Sequence, residues 1–360
     1  MSADPRVQKY AELLVDTCLD VQAGWQVLVS GGYLARPLLE AVSGALGRRG
    51  AYPLQRVSLS GQGMNIPWLL EAPEEVVAKS PALEANEWET ADALIAIVAP
   101  ENTRELSQVP QERLTLIQTA RRPNMERIFT EELKWVGCQY PTHALAQEAG
   151  MSLEEFTEFL YGACLRDWDA EHERIGRYAA LFDGADEVHV VAEGTDLRLS
   201  MAGRQVKVDA GGANMPGGEF FGSPVEDSAE GTITFSEFPA VYLGNEVKGI
   251  RLQFQGGRVV DASAESNEEF LISMLDMDDG ARRLGELGIG CNPGITRHLK
   301  NTAFDEKIDG TVHLALGNGL PQLGGTNVSR FHWDIVKDLR NGGKIELDGR
   351  IVQENGSWSL

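Results

Sequence analysis

Apolar and polar residues follow two different periods along the first part of the chain. Apolar side chains recur every three to four positions over residues 6–20 and 35–49, which predicts two amphipathic helices. Residues 26–30 and 91–99 are short apolar runs, which predict buried strands. Helices that alternate with buried strands indicate an α/β fold with a partly parallel sheet.

The pattern changes in the second half of the chain. Residues 152–182 predict two helices, and Ser152 with Glu155 has the spacing of a capping box at the first helix. After residue 187 the apolar runs become short and are interrupted by glycine, which is typical of a mainly β or mixed region. The clearest of these predicted strands are 188–192, 196–200 and 231–235.

This change of pattern predicts two domains. A chain of 360 residues is longer than a single hydrophobic core usually accommodates. We therefore expect an N-terminal α/β domain over residues 1–183 and a C-terminal mixed α+β domain, which carries the candidate chemistry, over residues 184–360.

Two histidines and a carboxylate lie on neighbouring extended segments near the C-terminus. Residues i and i+2 of a strand share a face, so His332 and Asp334 should project together. The residues that share a face with His313 are Ala315 and Gly317, which are small and leave space beside the imidazole. Such a set can bind a cation, although hydrogen-bonded core residues have the same composition.

Several carboxylates precede these histidines in segments that are unusual for a plain scaffold. Glu219 lies between a Gly-Gly pair and Pro224, and Glu286 begins an apolar run that would bury it. Glu306 and its neighbour Asp305 precede the His313 segment. Buried carboxylates are unfavourable unless they are paired or bind a metal. Two imidazoles with these carboxylates suit zinc, cobalt or manganese, and they suffice for two ions.

The composition of the chain indicates which partners and which cellular location to expect. The 32 basic and 54 acidic side chains give a net charge of −22, which argues against a nucleic-acid partner. No apolar stretch approaches the ~20 residues that span a bilayer, and the polar start over residues 1–5 does not have signal-peptide character. The four cysteines lack C-x-x-C spacing and suit a reducing compartment. We therefore expect a soluble cytoplasmic protein without a membrane or nucleic-acid partner.

Four segments of the C-terminal half contain the candidate residues. They are N-M-P-G-G-E-F-F-G-S-P (214–224), E-L-G-I-G-C-N-P (286–293), F-D-E-K-I-D-G-T-V-H-L-A-L-G (304–317) and H-W-D (332–334). In this order, the segments resemble those of the thermophilic-type dinuclear metallo-aminopeptidases of the aminopeptidase T and S type. The N-terminal half is similar to the family less specifically, over residues 10–30 and 135–152.

The resemblance implies a metal-dependent aminopeptidase that removes N-terminal residues from short peptides and forms a homodimer. It implies two divalent ions, which would be zinc, cobalt, manganese or magnesium, and a water activated by both. The implied metal ligands are Glu219, Glu286, His313, His332 and Asp334, with Glu306 as a further ligand or catalytic carboxylate. Glu286 is the first candidate for the general base and Glu306 is the second.

One departure from the family keeps other functions open. Many members have a tyrosine seven residues after the first strand histidine, where this chain has Leu320. A mononuclear non-haem iron ring-cleaving dioxygenase of similar fold would need three of the candidate ligands, and a catalytically weakened homologue would bind peptide without rapid turnover. Glu219 and Glu286 favour the two-metal hydrolase, because a single iron triad does not need them.

Overall fold

The structure, a computed structural model, describes residues 4–61, 63–129 and 132–359. Residues 1–3, which belong to the polar start considered above, lie outside the described residues. The chain divides into two compact units, Met1–Leu165 with Gly211–Pro216, and Arg166–Ala210 with Gly217–Leu360. We keep the division into domains 1–183 and 184–360 as a proposal.

Eleven α-helices lie within the described ranges. They are α1 Pro5–Glu12, α2 Arg36–Arg49, α3 Ile66–Glu71, α4 Glu74–Val77, α5 Ala82–Thr90, α6 Gln111–Phe129, α7 His143–Glu148, α8 Leu153–Cys164, α9 Trp168–Ala179, α10 Glu268–Leu275 and α11 Thr302–Asp305. A π-helical stretch, Leu13–Cys18, continues α1. The helix predicted over residues 6–20 is therefore present with a change of winding.

The described strands belong to four sheets. They are β1 Gln26–Gly32, β2 Tyr52–Ser58, β3 Ala93–Val98, β4 Lys134–Gln139, β5 Glu187–Ala192, β6 Thr195–Ser200, β7 Lys207–Asp209, β8 Asn214–Met215, β9 Glu219–Gly222, β10 Glu230–Phe235, β11 Ala240–Tyr242, β12 Asn245–Val247, β13 Ile250–Gln255, β14 Arg258–Ser263, β15 Leu284–Gly290, β16 Thr311–Gly317, β17 His332–Asp338, β18 Lys344–Leu347, β19 Arg350–Glu354 and β20 Ser357–Trp358.

The first unit contains a five-stranded sheet in the order β2-β1-β3-β4-β8. Its four pairings are parallel, which confirms the predicted α/β class with a parallel sheet. The apolar runs at 26–30 and 91–99 form β1 and β3, which are neighbours in this sheet. Burial of both strands explains why their sequences are continuous apolar runs.

Local capping explains where the helices of this unit begin and end. The Ser152 hydroxyl accepts from the Glu155 amide, and the Glu155 carboxylate accepts from the Ser152 amide, so the predicted capping box is confirmed. Helix α2 ends at Arg49 and is capped by Gly50, whose φ of 73° is a conformation that favours glycine.

The second unit is built mainly from antiparallel sheets, with α9, α10 and α11. An eight-stranded sheet has the order β14-β13-β10-β6-β5-β18-β19-β20, and a five-stranded sheet has the order β17-β16-β15-β9-β7. One hydrophobic core contains Phe235 and Phe254 from the larger sheet and Phe220 and Trp333 from the smaller one. The core therefore covers one face of the five-stranded sheet. Among the described residues, no helix is long and apolar enough to cross a membrane.

Candidate metal centre

Three neighbouring antiparallel strands of the five-stranded sheet position most of the candidate residues. Glu286 of β15 pairs with Ala315 of β16, which in turn pairs with Asp334 of β17. Two positions further along β15, and so on the same face, Gly288 pairs with His313. Because paired residues project to the same side of a sheet, Glu286, His313 and Asp334 share one face, opposite the core that buries Trp333.

Small residues leave space on this face. They are Gly288, Gly290, Ala315 and Gly317. Glu219 pairs with Gly290 and His332 with Gly317, so both of these side chains lie beside glycine. A Cβ atom at Gly288 would overlap Nε2 of His313, so the imidazole lies directly over this glycine. The small size of these residues allows the functional groups to approach one another.

Five of the six candidate ligands are in mutual contact. Nε2 of His313 lies 3.4 Å from Oε2 of Glu219 and 3.4 Å from Oε1 of Glu286. Nε2 of His332 lies 3.3 Å from Oε2 of Glu286 and 3.5 Å from Oδ1 of Asp334. Glu286 therefore lies between the two imidazoles and directs a different oxygen toward each. Ligand atoms of Glu286, His313 and Asp334 lie within 4.8 Å of one another.

Burial makes the unpaired polar atoms of this group unfavourable. His313 is completely buried, and Glu219 and Glu286 are 5% and 8% exposed. Oε2 of Glu219, Nδ1 of His313 and Oδ1 of Asp334 are buried without a hydrogen-bond partner. Buried polar atoms normally have partners, and carboxylate oxygens without one are suited to a cation. The nitrogen and oxygen donors present fit a divalent metal ion of the zinc, cobalt or manganese type.

His332 is oriented by the loop that follows β16. Its Nδ1 lies 2.8 Å from the carbonyl oxygen of Asn318, so Nδ1 donates and Nε2 faces the carboxylates. Ser223 Oγ accepts from the Leu320 amide at 2.8 Å. Glu226 accepts from the Thr326 amide at 2.5 Å. This loop is therefore anchored at several points, and Leu320 has an aliphatic side chain at the position where the resemblance leads one to expect a phenol.

Lys307, for which the sequence predicted no role, connects Glu306 to the other candidate ligands. Lys307 is completely buried, its Nζ lies 3.0 Å from Oε1 of Glu219, and it forms an ion pair with Oε1 of Glu306. The position of this lysine between Phe304 and Ile308 is the feature of the sequence that could have indicated its burial, and both of these residues are also completely buried. Neighbouring Asp305 instead accepts from the Leu299 and Asn301 amides, each at 2.6 Å.

The surplus of carboxylates attracts positive charge. Burial alone would lower the pKa of His313, but the hydrogen bond to Glu286 and the charge of Glu219 raise this pKa to about 9. Burial likewise opposes the shift at His332, and the Asp334 carboxylate raises its pKa well above the usual value. His332 in turn lowers the pKa of Asp334 to about 2, against the effect of burial. A divalent ion would supply the same positive charge in place of the protons.

The carboxylates differ in the net direction in which their pKa is shifted. Burial raises the pKa of Glu219, and the positive charge of Lys307 offsets only part of this effect. Burial also raises the pKa of Glu306. The pKa of Glu286 is lowered although burial acts in the opposite direction, because both imidazoles form hydrogen bonds with it. Glu286 is therefore held in its charged form between the two histidines.

A small cleft adjoins Asp334. Ala240, Val241 and Val336 supply apolar surface to it. His298 also lines the cleft, and its Nε2 lies 3.2 Å from an oxygen of Asp305. Burial lowers the pKa of His298 to about 4, so this imidazole is neutral near pH 7. The cleft is therefore a partly apolar recess beside one of the candidate ligands.

Comparison with known proteins identifies the family of the chain. The model of the family described as thermophilic metalloprotease (M29) matches residues 3–358. Aminopeptidase 2 of Geobacillus stearothermophilus is 29% identical over 99% of this chain and 98% of its own length. These matches confirm the resemblance inferred from the sequence.

Two solved structures are similar to the described fold. Wild-type AmpT from Thermus thermophilus has a TM-score of 0.86 and 25% identity, and the match covers 99% of both chains. The 2,5-dihydroxypyridine dioxygenase from Pseudomonas putida KT2440 has a TM-score of 0.63 and 15% identity, covering 98% of this chain and 97% of its own. The second likeness concerns the fold alone. Because the family model spans nearly the whole sequence, the chain belongs to the thermophilic metalloprotease (M29) family and is a metal-dependent hydrolase of peptide bonds.

Proposed function

We propose that the protein is an aminopeptidase that uses two divalent ions to remove N-terminal residues from short peptides. The observation that carries this proposal is the convergence of two imidazoles and three carboxylates on one face of a sheet, with buried oxygens that lack hydrogen-bond partners. The similarity to aminopeptidases supports the reaction class.

The proposed metal ligands form two groups that share Glu286. Glu219 and His313 would hold an ion at one end, and His332 and Asp334 would hold an ion at the other. Glu286 directs one oxygen toward each imidazole, so it can serve both ions. Divalent ions bound there would lower the pKa of water toward ~7 and polarise the peptide carbonyl. Zinc, cobalt, manganese and magnesium are the candidates.

Proton transfer requires a carboxylate near the middle of the site. We assign it first to Glu286, because its position between the histidines places it close to the reacting atoms. Glu306 is the second candidate, because burial raises its pKa and so brings it closer to the working pH of a general base. Substituting each residue by glutamine distinguishes a ligand from a base, because loss of a ligand lowers metal content as well as kcat.

The substrate should enter from the Asp334 side. The His332 side chain is 32% exposed, whereas that of His313 is completely buried. The surplus of acidic groups would attract the free ammonium of a peptide. The partly apolar cleft adjoins Asp334 at this end of the site. From the family resemblance we further propose a cytoplasmic homodimer that admits short peptides.

The proposal is tested by elemental analysis of the purified chain together with an assay of leucyl and arginyl peptides after zinc or cobalt is added. Close to two ions per chain and release of the first amino acid are expected. E286Q should lose activity, and E354Q, which alters an exposed glutamate of β19, should not. One iron per chain without peptide cleavage would contradict the proposal and favour an oxygen-dependent ring-cleaving enzyme.

A further inference from the structure

Lys307 is a completely buried cation that contacts two candidate site carboxylates. Its Nζ lies 3.0 Å from Oε1 of Glu219 and forms an ion pair with Oε1 of Glu306. Removing an ammonium group from water is unfavourable unless carboxylates surround it. The fold nevertheless buries this lysine beside a site that already has a surplus of negative charge.

The backbone holds Lys307 in place independently of its side chain. Its amide donates to the carbonyl of Phe304 at 3.0 Å, and its carbonyl accepts from the Asn292 amide at 2.8 Å. The Asn292 side chain donates to the Gly217 carbonyl at 2.8 Å, close in sequence to Glu219. The segment that carries the ammonium group is therefore tied to the segment that carries Glu219.

The contacts of Glu219 divide its two oxygens between different partners. Oε1 is bound by Lys307, whereas Oε2 lies 3.4 Å from Nε2 of His313 and has no hydrogen-bond partner. The ammonium group thus fixes the rotation of this carboxylate. It also lies between Glu219 and Glu306, whose negative charges would otherwise repel each other.

We propose that Lys307 is a positioning residue that holds one oxygen of Glu219 and one of Glu306, so that Glu219 presents its second oxygen to a metal ion beside His313. This inference rests on the proposed two-ion site. It predicts that Lys307 acts mainly on the end formed by Glu219 and His313, because its direct contacts are with Glu219 and Glu306, whereas His332 contacts Asp334 and the Asn318 carbonyl.

The test compares two buried lysines of the same unit. Lys337 is also completely buried, and its Nζ lies 2.7 Å from Oε1 of Glu237, which is outside the proposed ligand set. K307M and K337M therefore both remove a buried ammonium group, and K307M alone removes one that contacts proposed ligands. Zinc and cobalt binding would be measured by equilibrium dialysis, with the cobalt absorption spectrum as a second readout and circular dichroism as a check of folding.

We expect K307M to bind one of the two ions roughly 10 to 100 times more weakly than the wild type, the usual effect of removing a group that orients a ligand. K337M should retain both ions. If K307M does not fold, K307Q keeps a polar side chain but removes the positive charge that holds both carboxylates, and the same selective weakening is expected.

Wild-type affinity for both ions and an unchanged cobalt spectrum in folded K307M or K307Q would overturn the inference. Equal weakening in K337M would also overturn it, because the effect would then follow from burial of a lysine in general. If the wild type itself binds no divalent ion, the proposed function fails instead, so the two failures are distinguishable.

Discussion

The two ends of the candidate metal centre use similar ligand types in different surroundings. At one end, His313 and Glu219 are buried, and a buried lysine neutralises part of the negative charge. At the other end, the partly exposed His332 is oriented by a backbone carbonyl and faces Asp334 beside a cleft. One end is therefore fixed by the interior of the protein, whereas the other is partly exposed to solvent. We expect the open end to contact the substrate.

The largest expected effect comes from removing the carboxylate that the two ends share. In E286Q, the neutral amide would be a weaker metal ligand and a weaker hydrogen-bond acceptor for both imidazoles. It would also not accept a proton. We expect kcat/KM for a leucyl peptide to fall by about 10³ or more, on the scale of general-base catalysis combined with metal loss. Metal content should fall in parallel. Normal metal content with full activity in E286Q would remove Glu286 from the site.

Substituting each histidine separately should affect the stability of the protein to different degrees at the two ends of the site. In H313A, a completely buried ring is removed, so we expect a loss of stability of roughly 2 to 4 kcal/mol as well as loss of metal. In H332A, a partly exposed ring is removed, so the loss of stability should be smaller while activity still falls strongly. Urea unfolding and peptide assays measure the two quantities. Equal effects of the two variants on stability would contradict the distinction between a buried and an open end.

A smaller and more local change tests the packing of the buried end. G288A would place a Cβ where the His313 ring lies, so the ring must move. We expect metal affinity to fall by about 10-fold or more, because misplaced ligands bind less tightly. G176A in α9 serves as the control, because the added Cβ would meet no atom within 4 Å beyond its chain neighbours and the backbone of its own helix, and it should leave metal affinity unchanged. Wild-type affinity in G288A would show that the ring tolerates displacement.

Removal of the metal by a chelator should change the stability of the folded chain. A ligand that binds the folded chain alone stabilises it by about 2.7 kcal/mol at one hundred times its Kd. Chelation should therefore lower the wild-type melting temperature, and added zinc should restore it. E286Q should show little of this response. A melting temperature that is independent of metal in the wild type would argue against sites formed by the folded chain.

Much of the fold was predictable because it depends on local periodicity. Alternation placed His332 and Asp334 on one face and Trp333 in the core, as the structure has them. The apolar runs at 26–30 and 91–99 predicted β1 and β3, and the capping box predicted the start of α8. These features depend on residues a few positions apart, which a sequence displays directly.

The remaining features depend on strand register and on distant partners. The pairing of Gly288 with His313 joins strands whose alignment no local pattern specifies. Lys307 contacts Glu219 from a distant segment, so the apolar residues near Lys307 indicate that it is buried but do not indicate which carboxylate its ammonium group contacts. The resemblance to a family supplied the candidate metal ligands, and the structure adds the contacts between them.

We propose above that one face of the five-stranded sheet binds two ions that share Glu286. A crystal structure of the zinc-loaded protein with anomalous diffraction at the zinc edge tests it most directly. We predict two anomalous peaks, one beside Glu219 and His313 and one beside His332 and Asp334, with Glu286 contacting both. A single peak, or peaks away from these residues, would contradict the claim.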